Sequence, residues 1–269
     1  MICVIFTRRL WAEIDMDAAI RNYHAIKNKI GENTKICCVV KADGYGHGAV
    51  ELAKLYSELN CDYFAVSNLD EALELRDAGI TEPILILGYT PANRCVDLSE
   101  RNISQAVYGL DYAKMLSDEC VNAGVTCKIH IKCDTGMSRL GFMCQQFPRD
   151  EYSIGEIKTA CQLDNLISEG IFTHFAVADE CEDGREYTKR QYEAFSHTVE
   201  ALKAQGEAEA AAAQAKGLAE AEAIRAKAEA EAEGLLKKAE AMKQYGDAAQ
   251  MDLQLQATKV LYEQLPAIA

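Results

Sequence analysis

Short apolar runs alternate with amphipathic segments over the first 204 residues, and this alternation constrains the fold more than any other feature. The apolar runs predict strands at residues 36–40, 63–66, 84–87, 105–108, 128–132 and 170–176. Segments between them, such as residues 70–78 and 112–123, carry apolar residues at helical spacing. Strands that alternate with helices predict parallel strand–helix–strand units with right-handed crossovers. The sequence therefore predicts an α/β fold with a parallel sheet.

The composition changes abruptly near residues 202–206. After residue 205 the chain contains no cysteine, and alanine and glutamate dominate. Lys216, Lys227 and Lys238 are spaced eleven residues apart, and eleven residues close three helical turns. Because alanine has the highest helix propensity, residues 205–269 predict one long α-helix. An alanine-rich helix buries little area per turn, so two interpretations are open: association with copies of itself or other helices, or a solvated single helix.

Charge and cysteine content limit the classes of partner. The formal net charge of −14 argues against nucleic acid and anionic membrane surfaces, which attract basic patches. All eleven cysteines lie between Cys3 and Cys181, without a Cys-x-x-Cys pair. This usage predicts reduced, buried thiols in a cytoplasmic protein, with neither a disulfide framework nor a metal site. No stretch has the length and hydrophobicity of a membrane span.

The segment most specific for chemistry is residues 41–48, Lys-Ala-Asp-Gly-Tyr-Gly-His-Gly. It follows the apolar run 36–40, which predicts a fully buried strand. In parallel α/β folds catalytic groups collect at the carboxyl ends of strands, which is where Lys41 stands. Three glycines at alternate positions allow a sharp turn and close approach to a ligand. Taken alone, Lys41 favours a surface lysine before a glycine-rich loop, but the whole eight-residue segment after an apolar run argues against that interpretation.

These eight residues resemble the pyridoxal-phosphate lysine motif of the alanine racemase family. Further similar stretches follow in the family's order, at residues 11–15, 68–72, 83–88, 132–141 and 173–179. The resemblance covers about residues 8–204 and implies a TIM-type (β/α) barrel, incomplete because six of its eight strands are visible. The tail is similar to the C-terminal helical region of flotillin/band-7 proteins, which are membrane-associated scaffolds. The expected organisation is a partial racemase-like barrel over 1–204 and a helical or coiled-coil tail over 205–269.

The racemase resemblance implies roles for five residues. Lys41 matches the lysine that forms a Schiff base with pyridoxal 5'-phosphate and then acts as one of two bases moving the substrate α-proton. Tyr45 matches a residue that contacts the cofactor phosphate. Arg139 matches a residue that binds near the cofactor ring and the substrate carboxylate, with a structural ion pair as the alternative. His174, at the predicted end of a strand, matches a histidine against the cofactor ring. Lys132 should point into the barrel, and it matches a lysine that is carbamylated in some relatives.

The resemblance implies an isomerase that interconverts L- and D-alanine for peptidoglycan precursors, with serine as the other substrate considered. The family's strands seven and eight, and its C-terminal domain with the second-base tyrosine, have no counterpart in the sequence. Three alternatives therefore stay open: a non-catalytic remnant that binds the cofactor, a flotillin-like oligomerising scaffold, and a chimeric reading frame joined near 202–206. Because an open sheet leaves unpaired edges, a homo-oligomer formed through the barrel edges or the helical tail is expected.

Overall fold

A computed structural model describes residues 12–145 and 150–264. The strands are β1 (Cys37–Val39), β2 (Tyr63–Val66), β3 (Ile84–Ile86), β4 (Ile103–Val107), β5 (Cys127–Asp134), β6 (Phe142–Met143) and β7 (Leu166–Phe172). Strands β1 to β5 pair in chain order, all parallel, and β7 pairs with β5. The two-residue strand β6 pairs with the end of β5. The prediction of an α/β fold with a parallel sheet is confirmed.

Helices connect the strands. They are α1 (Met16–Ile30), α2 (Lys41–Gly46), α3 (Ala49–Glu58), α4 (Leu69–Asp77), α5 (Cys95–Glu100), α6 (Leu110–Ala123), α7 (Glu151–Cys161) and α8 (Cys181–Gln264), with a 3₁₀ turn at Ala92–Arg94 before α5. Side chains of Asp15, Asn68 and Asp150 accept hydrogen bonds from backbone N–H groups in the first turns of α1, α4 and α7. These caps define where the three helices begin.

The core lies between the sheet and the helices. The largest fully buried apolar side chains come from both layers, and they are Phe64, Leu75, Ile84, Ile86, Leu98, Ile103, Leu116, Ile129, Ile131 and Ile157. Along β5 the residues at odd positions from Cys127 to Cys133 are fully buried, while Lys128, His130 and Lys132 alternate with them. Because side chains of a strand alternate between its two faces, the second face of β5 carries the lysine and histidine side chains of this strand.

The first strand differs from its prediction. Cys37 and Val39 are exposed, with Val39 at 43 % of its maximum, so the predicted fully buried strand is wrong. The reason is topological, because among the described residues β1 has β2 as its sole neighbour and forms an edge of the sheet. Residues 12–15 of the matched opening motif form no strand either, and Asp15 instead caps α1. Residues 8–11 lie outside the described part of the chain.

The last strand is also displaced from its prediction. It covers Leu166–Phe172 rather than residues 170–176, and its pairing with β5 contains an irregularity next to Glu169. Past Phe172 the chain leaves the sheet, and the Ala176 N–H group donates to the side chain of Gln191 instead of a strand. His174 therefore lies in the loop after β7 and does not end a strand, which corrects the prediction.

The chain divides into two compact units, Met1–Lys203 and Ala204–Ala269. Within the first unit, α8 buries Gln191, Ala194, Thr198 and Ala201. Within the second, the described apolar side chains Leu218, Ile224, Met251 and Leu255 are exposed. Lys216 and Glu220 form an ion pair one helical turn apart, with 3.9 Å between nitrogen and oxygen.

The nine cysteines from Cys37 to Cys161 are free thiols. Most of them are buried, but Cys37 and Cys161 are exposed, so the prediction of buried thiols is wrong at these two positions. Within residues 12–145 and 150–264, no helix is long and apolar enough to cross a bilayer. The same residues include no group of three histidine, cysteine or acidic side chains that could hold a metal ion.

Candidate functional site

The turn after β1 has an unusual backbone. Ala42, Asp43, Gly44 and Tyr45 all have left-handed φ angles, at 51°, 53°, 60° and 57°. In this conformation each non-glycine residue costs about 1–2 kcal/mol, so other contacts must hold the turn. One is internal, because the Asp43 carboxylate accepts a hydrogen bond from the Ala49 N–H group at 2.9 Å. This turn fixes Lys41 directly after the carboxyl end of β1.

Glu71 supplies the second contact. Its carboxylate accepts from the backbone N–H of Ala42 at 2.9 Å and from that of Ser67 at 2.7 Å. Its own N–H donates to the side chain of Asn68 at 3.0 Å. One carboxylate therefore ties the loop after β1 to the loop after β2, and hydrogen bonds to an ionised acceptor are stronger than neutral ones.

A cavity of about 320 Å³ opens at the carboxyl ends of the strands. Its lining comes from several strand-end loops and includes three cationic residues and a histidine: Lys41, Ser67, Leu87, Gly88, Lys132, Arg139, Leu140, Phe172 and His174. None of these described lining residues is acidic. Lys132 is buried at 7 % exposure, and its Nζ lies 4.9 Å from the centroid of the Phe172 ring. The cavity therefore favours an anionic ligand.

Asp134 organises the loop that carries Arg139. Its carboxylate accepts from the backbone N–H groups of Gly136, Ser138 and Arg139 at 2.9, 2.9 and 3.0 Å. The side chain of Gln145 donates a further bond at 3.2 Å. Burial by itself raises the pKa of Asp134, but these hydrogen bonds more than offset it, so the pKa lies below its ordinary value. Asp134 is thus a buried anion that shapes the loop around its own charge.

The positive groups of the cavity influence one another. Burial, assisted by the positive charge of Arg139 and opposed by Asp134, lowers the pKa of Lys132 to about 8. Burial also lowers the pKa of His174, assisted by the charges of Lys132, Arg139 and Lys41. Both shifts favour the neutral side chain. Near neutral pH the imidazole is therefore uncharged, and Lys132 can lose its proton readily.

Tyr45 occupies a different position from the other four predicted site residues. Lys41, Lys132, Arg139 and His174 all line the cavity, whereas Tyr45 lines an adjacent cavity with Gly44 and His47. Tyr45 is 61 % exposed, and the centroid of its ring lies 5.7 Å from Nζ of Lys41.

The sequence predicted no role for three residues whose side chains hold the loops of the site, Glu71, Asp134 and Gln191. The Asn68–Glu71 capping pattern offered a signal for Glu71, but local sequence offered none for Gln191.

Comparison with known proteins places this geometry in a family. The sequence model of the alanine racemase N-terminal domain matches residues 14–225. An alanine racemase of Clostridium perfringens strain SM101 is 43 % identical over 205 residues, which is 76 % of this chain and 50 % of the relative. Alanine racemase 1 of Caldanaerobacter subterraneus is 40 % identical over 191 residues, 71 % of this chain and 47 % of the relative. The chain spans about half the length of the curated relatives it matches.

Solved structures agree with the sequence relatives. The alanine racemase of Clostridium difficile 630, in complex with cycloserine, superposes with a TM-score of 0.69 at 41 % identity, covering 75 % of this chain and 54 % of that one. A histidine racemase of Leuconostoc mesenteroides superposes with a TM-score of 0.58 at 31 % identity, covering 65 % of this chain and 46 % of that one. The similarity therefore includes racemases named for two different amino acids.

Proposed function

Because the chain belongs to the alanine racemase N-terminal domain family, we propose that it holds pyridoxal 5'-phosphate on Lys41 and contributes the proton-transfer site of a racemase for L- and D-alanine. The observation that carries the proposal is the shared cavity of Lys41, Lys132, Arg139 and His174 at the carboxyl ends of the parallel strands. Product D-alanine would enter peptidoglycan precursors in the cytoplasm, and the free thiols of the described chain agree with a reducing compartment.

The residues of the cavity fit this cofactor chemically. An aldehyde requires a primary amine, which Lys41 provides, and a carboxylate requires a cationic donor, which Arg139 provides. The cavity, at about 320 Å³, lies within the ordinary range for small-molecule sites. Gly88 allows the loops after β2 and β3 to approach closely at the cavity, since a Cβ there would lie 2.4 Å from the backbone oxygen of Ser67.

Each residue then has a defined task. The cofactor, when bound, stabilises the negative charge that develops at the substrate α-carbon. The Nζ of Lys41 removes or returns the α-proton on one face of the substrate. The planar guanidinium of Arg139 binds the substrate carboxylate, and neutral His174 supports the cofactor ring without adding a charge. Tyr45, beside Lys41, contacts the phosphate.

Inversion requires a second base on the opposite face of the substrate. The described lining of the cavity contains no tyrosine and no carboxylate. Tyr245 and Tyr262 belong to the alanine- and glutamate-rich part of the chain, and we assign neither to this role. In this proposal the described lining supplies proton transfer by Lys41 on one face, and inversion requires a second base that is neither a tyrosine nor a carboxylate of that lining.

Lys132 is the proposed site of carbamylation. A neutral amine adds to carbon dioxide with release of one proton, and a pKa lowered to about 8 makes the neutral amine accessible near neutral pH. The product is an anion, which would pair with Arg139 and so align its guanidinium. Intact mass spectrometry should find one added carbon dioxide at neutral pH, lost on acidification and absent from Lys132→Ala.

Titration with pyridoxal 5'-phosphate tests the cofactor assignment. We expect a new visible absorption band, and borohydride reduction should fix the cofactor to the peptide that contains Lys41. Lys41→Ala should abolish both signals, while Lys54→Ala, at an exposed position of α3, should retain them. A wild-type protein that shows neither signal would refute the proposed function.

Isotope exchange then separates catalysis from mere binding. Incubation of L-alanine with the loaded protein in deuterated water should exchange the α-proton without accumulation of D-alanine when one base acts alone. Chiral chromatography measures the two enantiomers, and serine in a parallel reaction compares the two substrates. If neither exchange nor inversion occurs although the cofactor is bound, the chain is a cofactor-binding module without catalysis.

For the tail, we propose an oligomerisation role like that of the flotillin C-terminal region, with a domain boundary at residues 204–205. The exposed apolar side chains Leu218, Ile224, Met251 and Leu255 support it, because a helix that leaves such residues in water gains by association. Deletion from residue 205 onward should convert a large assembly into a smaller species in light scattering. An unchanged mass would assign any oligomer to the sheet edges. Sequencing one transcript across residues 202–206 tests the alternative of a chimeric reading frame.

A further inference from the structure

Gln191 of α8 is a buried polar side chain that lies outside the lining of the cavity. The residue is 1 % exposed, and both the oxygen and the nitrogen of its amide form hydrogen bonds. Its Oε1 accepts from the Ala176 N–H at 2.8 Å, while its Nε2 donates to the His174 carbonyl at 3.2 Å and to Thr135 Oγ1 at 3.4 Å. One amide therefore binds the backbone on both sides of residue 175, in the loop that presents His174.

The same amide begins a chain of hydrogen bonds whose direction is determined. Thr173 Oγ1 donates to the Cys133 carbonyl at 3.0 Å, which uses its single hydrogen. In the 2.8 Å contact between the two threonine hydroxyls, Thr135 must therefore be the donor. The lone pairs of Thr135 Oγ1 remain to accept from Gln191 Nε2. The chain thus runs from Gln191 through Thr135 and Thr173 to Cys133.

This chain connects the two loops that carry site residues. Cys133 lies between Lys132 and Asp134 at the end of β5, and Thr173 directly precedes His174 after β7. Helix α8 also contacts the β5 side directly, because the Tyr187 hydroxyl donates to the Gly136 carbonyl at 2.7 Å. Gly136 permits this close approach, since a Cβ there would lie 2.7 Å from the same hydroxyl.

We infer that Gln191 is a positioning residue of the proposed site. Its buried amide binds the His174 loop and, through Thr135, the end of β5, and so holds the imidazole at the cavity. The inference rests on the proposed function, which it deepens by assigning a role to a residue that does not touch the ligand. Because an amide presents one acceptor and two donors in one plane, it can satisfy an N–H, a C=O and a hydroxyl together. Neither a carboxylate nor an aliphatic side chain of this size can.

Gln191→Met tests the inference, because methionine keeps the length of the side chain and removes its hydrogen bonds. Thr198→Val is the matched control: its hydroxyl is buried two turns later on α8 and donates to Ala194, away from the His174 loop. Two readouts are compared, the pKa of His174 measured by NMR without cofactor and the dissociation constant for pyridoxal 5'-phosphate. His174→Gln identifies the imidazole signal.

In Gln191→Met we expect the pKa of His174 to return towards its ordinary value, as the loop moves away from Lys41, Lys132 and Arg139. The dissociation constant for pyridoxal 5'-phosphate should rise about tenfold. The reason is that the free protein no longer holds the His174 loop in its binding conformation, and the lost hydrogen bonding is comparable to one well-formed hydrogen bond. Thr198→Val should change neither readout, even if it lowers stability.

Wild-type values of both readouts in Gln191→Met would overturn the inference. If Gln191→Met does not fold, Gln191→Asn is used instead, because it retains the amide but is one methylene too short to reach all three partners. Wild-type values of both readouts in Gln191→Asn would also overturn the inference. A wild-type protein that binds no cofactor would refute the proposed function. The titration of His174 would still decide the role of Gln191, so the two failures are distinguishable.

Discussion

Substitution of Asp134 by asparagine isolates the buried anion that shapes the Arg139 loop. In wild-type protein the carboxylate accepts three backbone N–H groups and the side chain of Gln145, and the residue is 7 % exposed. Asparagine can keep its oxygen towards Gly136 and Ser138. Its NH₂ group then faces the Arg139 N–H, so a donor meets a donor. One hydrogen bond to a charged acceptor is lost, and the three others, from Gly136, Ser138 and Gln145, become neutral.

The expected loss of stability follows from these contacts. A hydrogen bond to a charged group contributes about 1.5–3 kcal/mol, and a neutral one about 1 kcal/mol. The lost bond and the three weakened bonds together predict that Asp134→Asn lowers the free energy of unfolding by about 3–5 kcal/mol at pH 7. Urea unfolding followed by circular dichroism measures this difference. Asp118→Asn, at an exposed position of α6, is the matched control and should change stability by less than about 0.5 kcal/mol.

The pH dependence gives a second, independent check. The pKa of Asp134 is lower in the folded protein than its ordinary value, so the carboxylate stabilises the fold at pH values above the unfolded pKa, about 3.9. This stabilisation is lost as the pH falls through the folded pKa. The difference between wild type and Asp134→Asn should therefore stay constant from about pH 5 to 8 and shrink in acid. A difference below about 0.5 kcal/mol at pH 7, or one that persists unchanged in acid, would refute the reasoning.

Three further predictions address the other supports of the site. Glu71→Gln leaves one acceptor oxygen for two N–H donors, so amide exchange of Ala42 or Ser67 should accelerate about tenfold or more while the Ala49 amide, held by Asp43, stays protected; unchanged protection of both Ala42 and Ser67 would contradict the bridging role. Gly88→Ala should destabilise the protein by about 1–3 kcal/mol, because the new Cβ would lie 2.4 Å from the Ser67 backbone oxygen. In the same thermal or urea unfolding assay, the control Gly155→Ala, in open space on α7, should stabilise the protein by about 0.5–1 kcal/mol. Lys132→Met should stabilise by roughly 2–3 kcal/mol at pH 7 in carbonate-free buffer, because it removes a charge that burial disfavours. The pKa of Lys132 is about 8 in the folded protein and about 10.4 in the unfolded chain, so the free energy of unfolding of wild type should rise as the pH increases between these values. The stability difference between Lys132→Met and wild type should therefore disappear over this range, and a difference independent of pH would count against a buried charge.

The alternation of apolar runs and amphipathic segments was sufficient to predict the parallel α/β architecture, because period and composition record local backbone preference and burial. Five of the six predicted strands begin within two residues of their observed starts, and the helix predicted at 112–123 begins at Leu110. The motif at residues 41–48 placed Lys41 correctly after a strand. It also placed glycines where φ is positive, at Gly44, Gly46 and Gly48.

The sequence pattern did not predict which strand lies at the edge of the sheet or where the pairing of β7 is irregular. An apolar run such as residues 36–40 has the same composition in the middle of a sheet and at its border, so the exposure of Val39 was decided by the absence of a second neighbour among the described strands. The early end of β7 depends on the irregularity near Glu169 and on the hydrogen bond between Ala176 and Gln191, fifteen residues apart in the chain.

The sequence by itself therefore determined the alternation of parallel strands and helices, and its family resemblance predicted the amine, the guanidinium and the imidazole of the candidate site. Only the tertiary structure decided how these groups are held. Glu71 reaches Ala42 across 29 residues, and Gln191 reaches Thr135 across 56. Such contacts leave no periodic signal, because a hydrogen bond between distant residues depends on where the folded backbone brings them and not on the residues beside them.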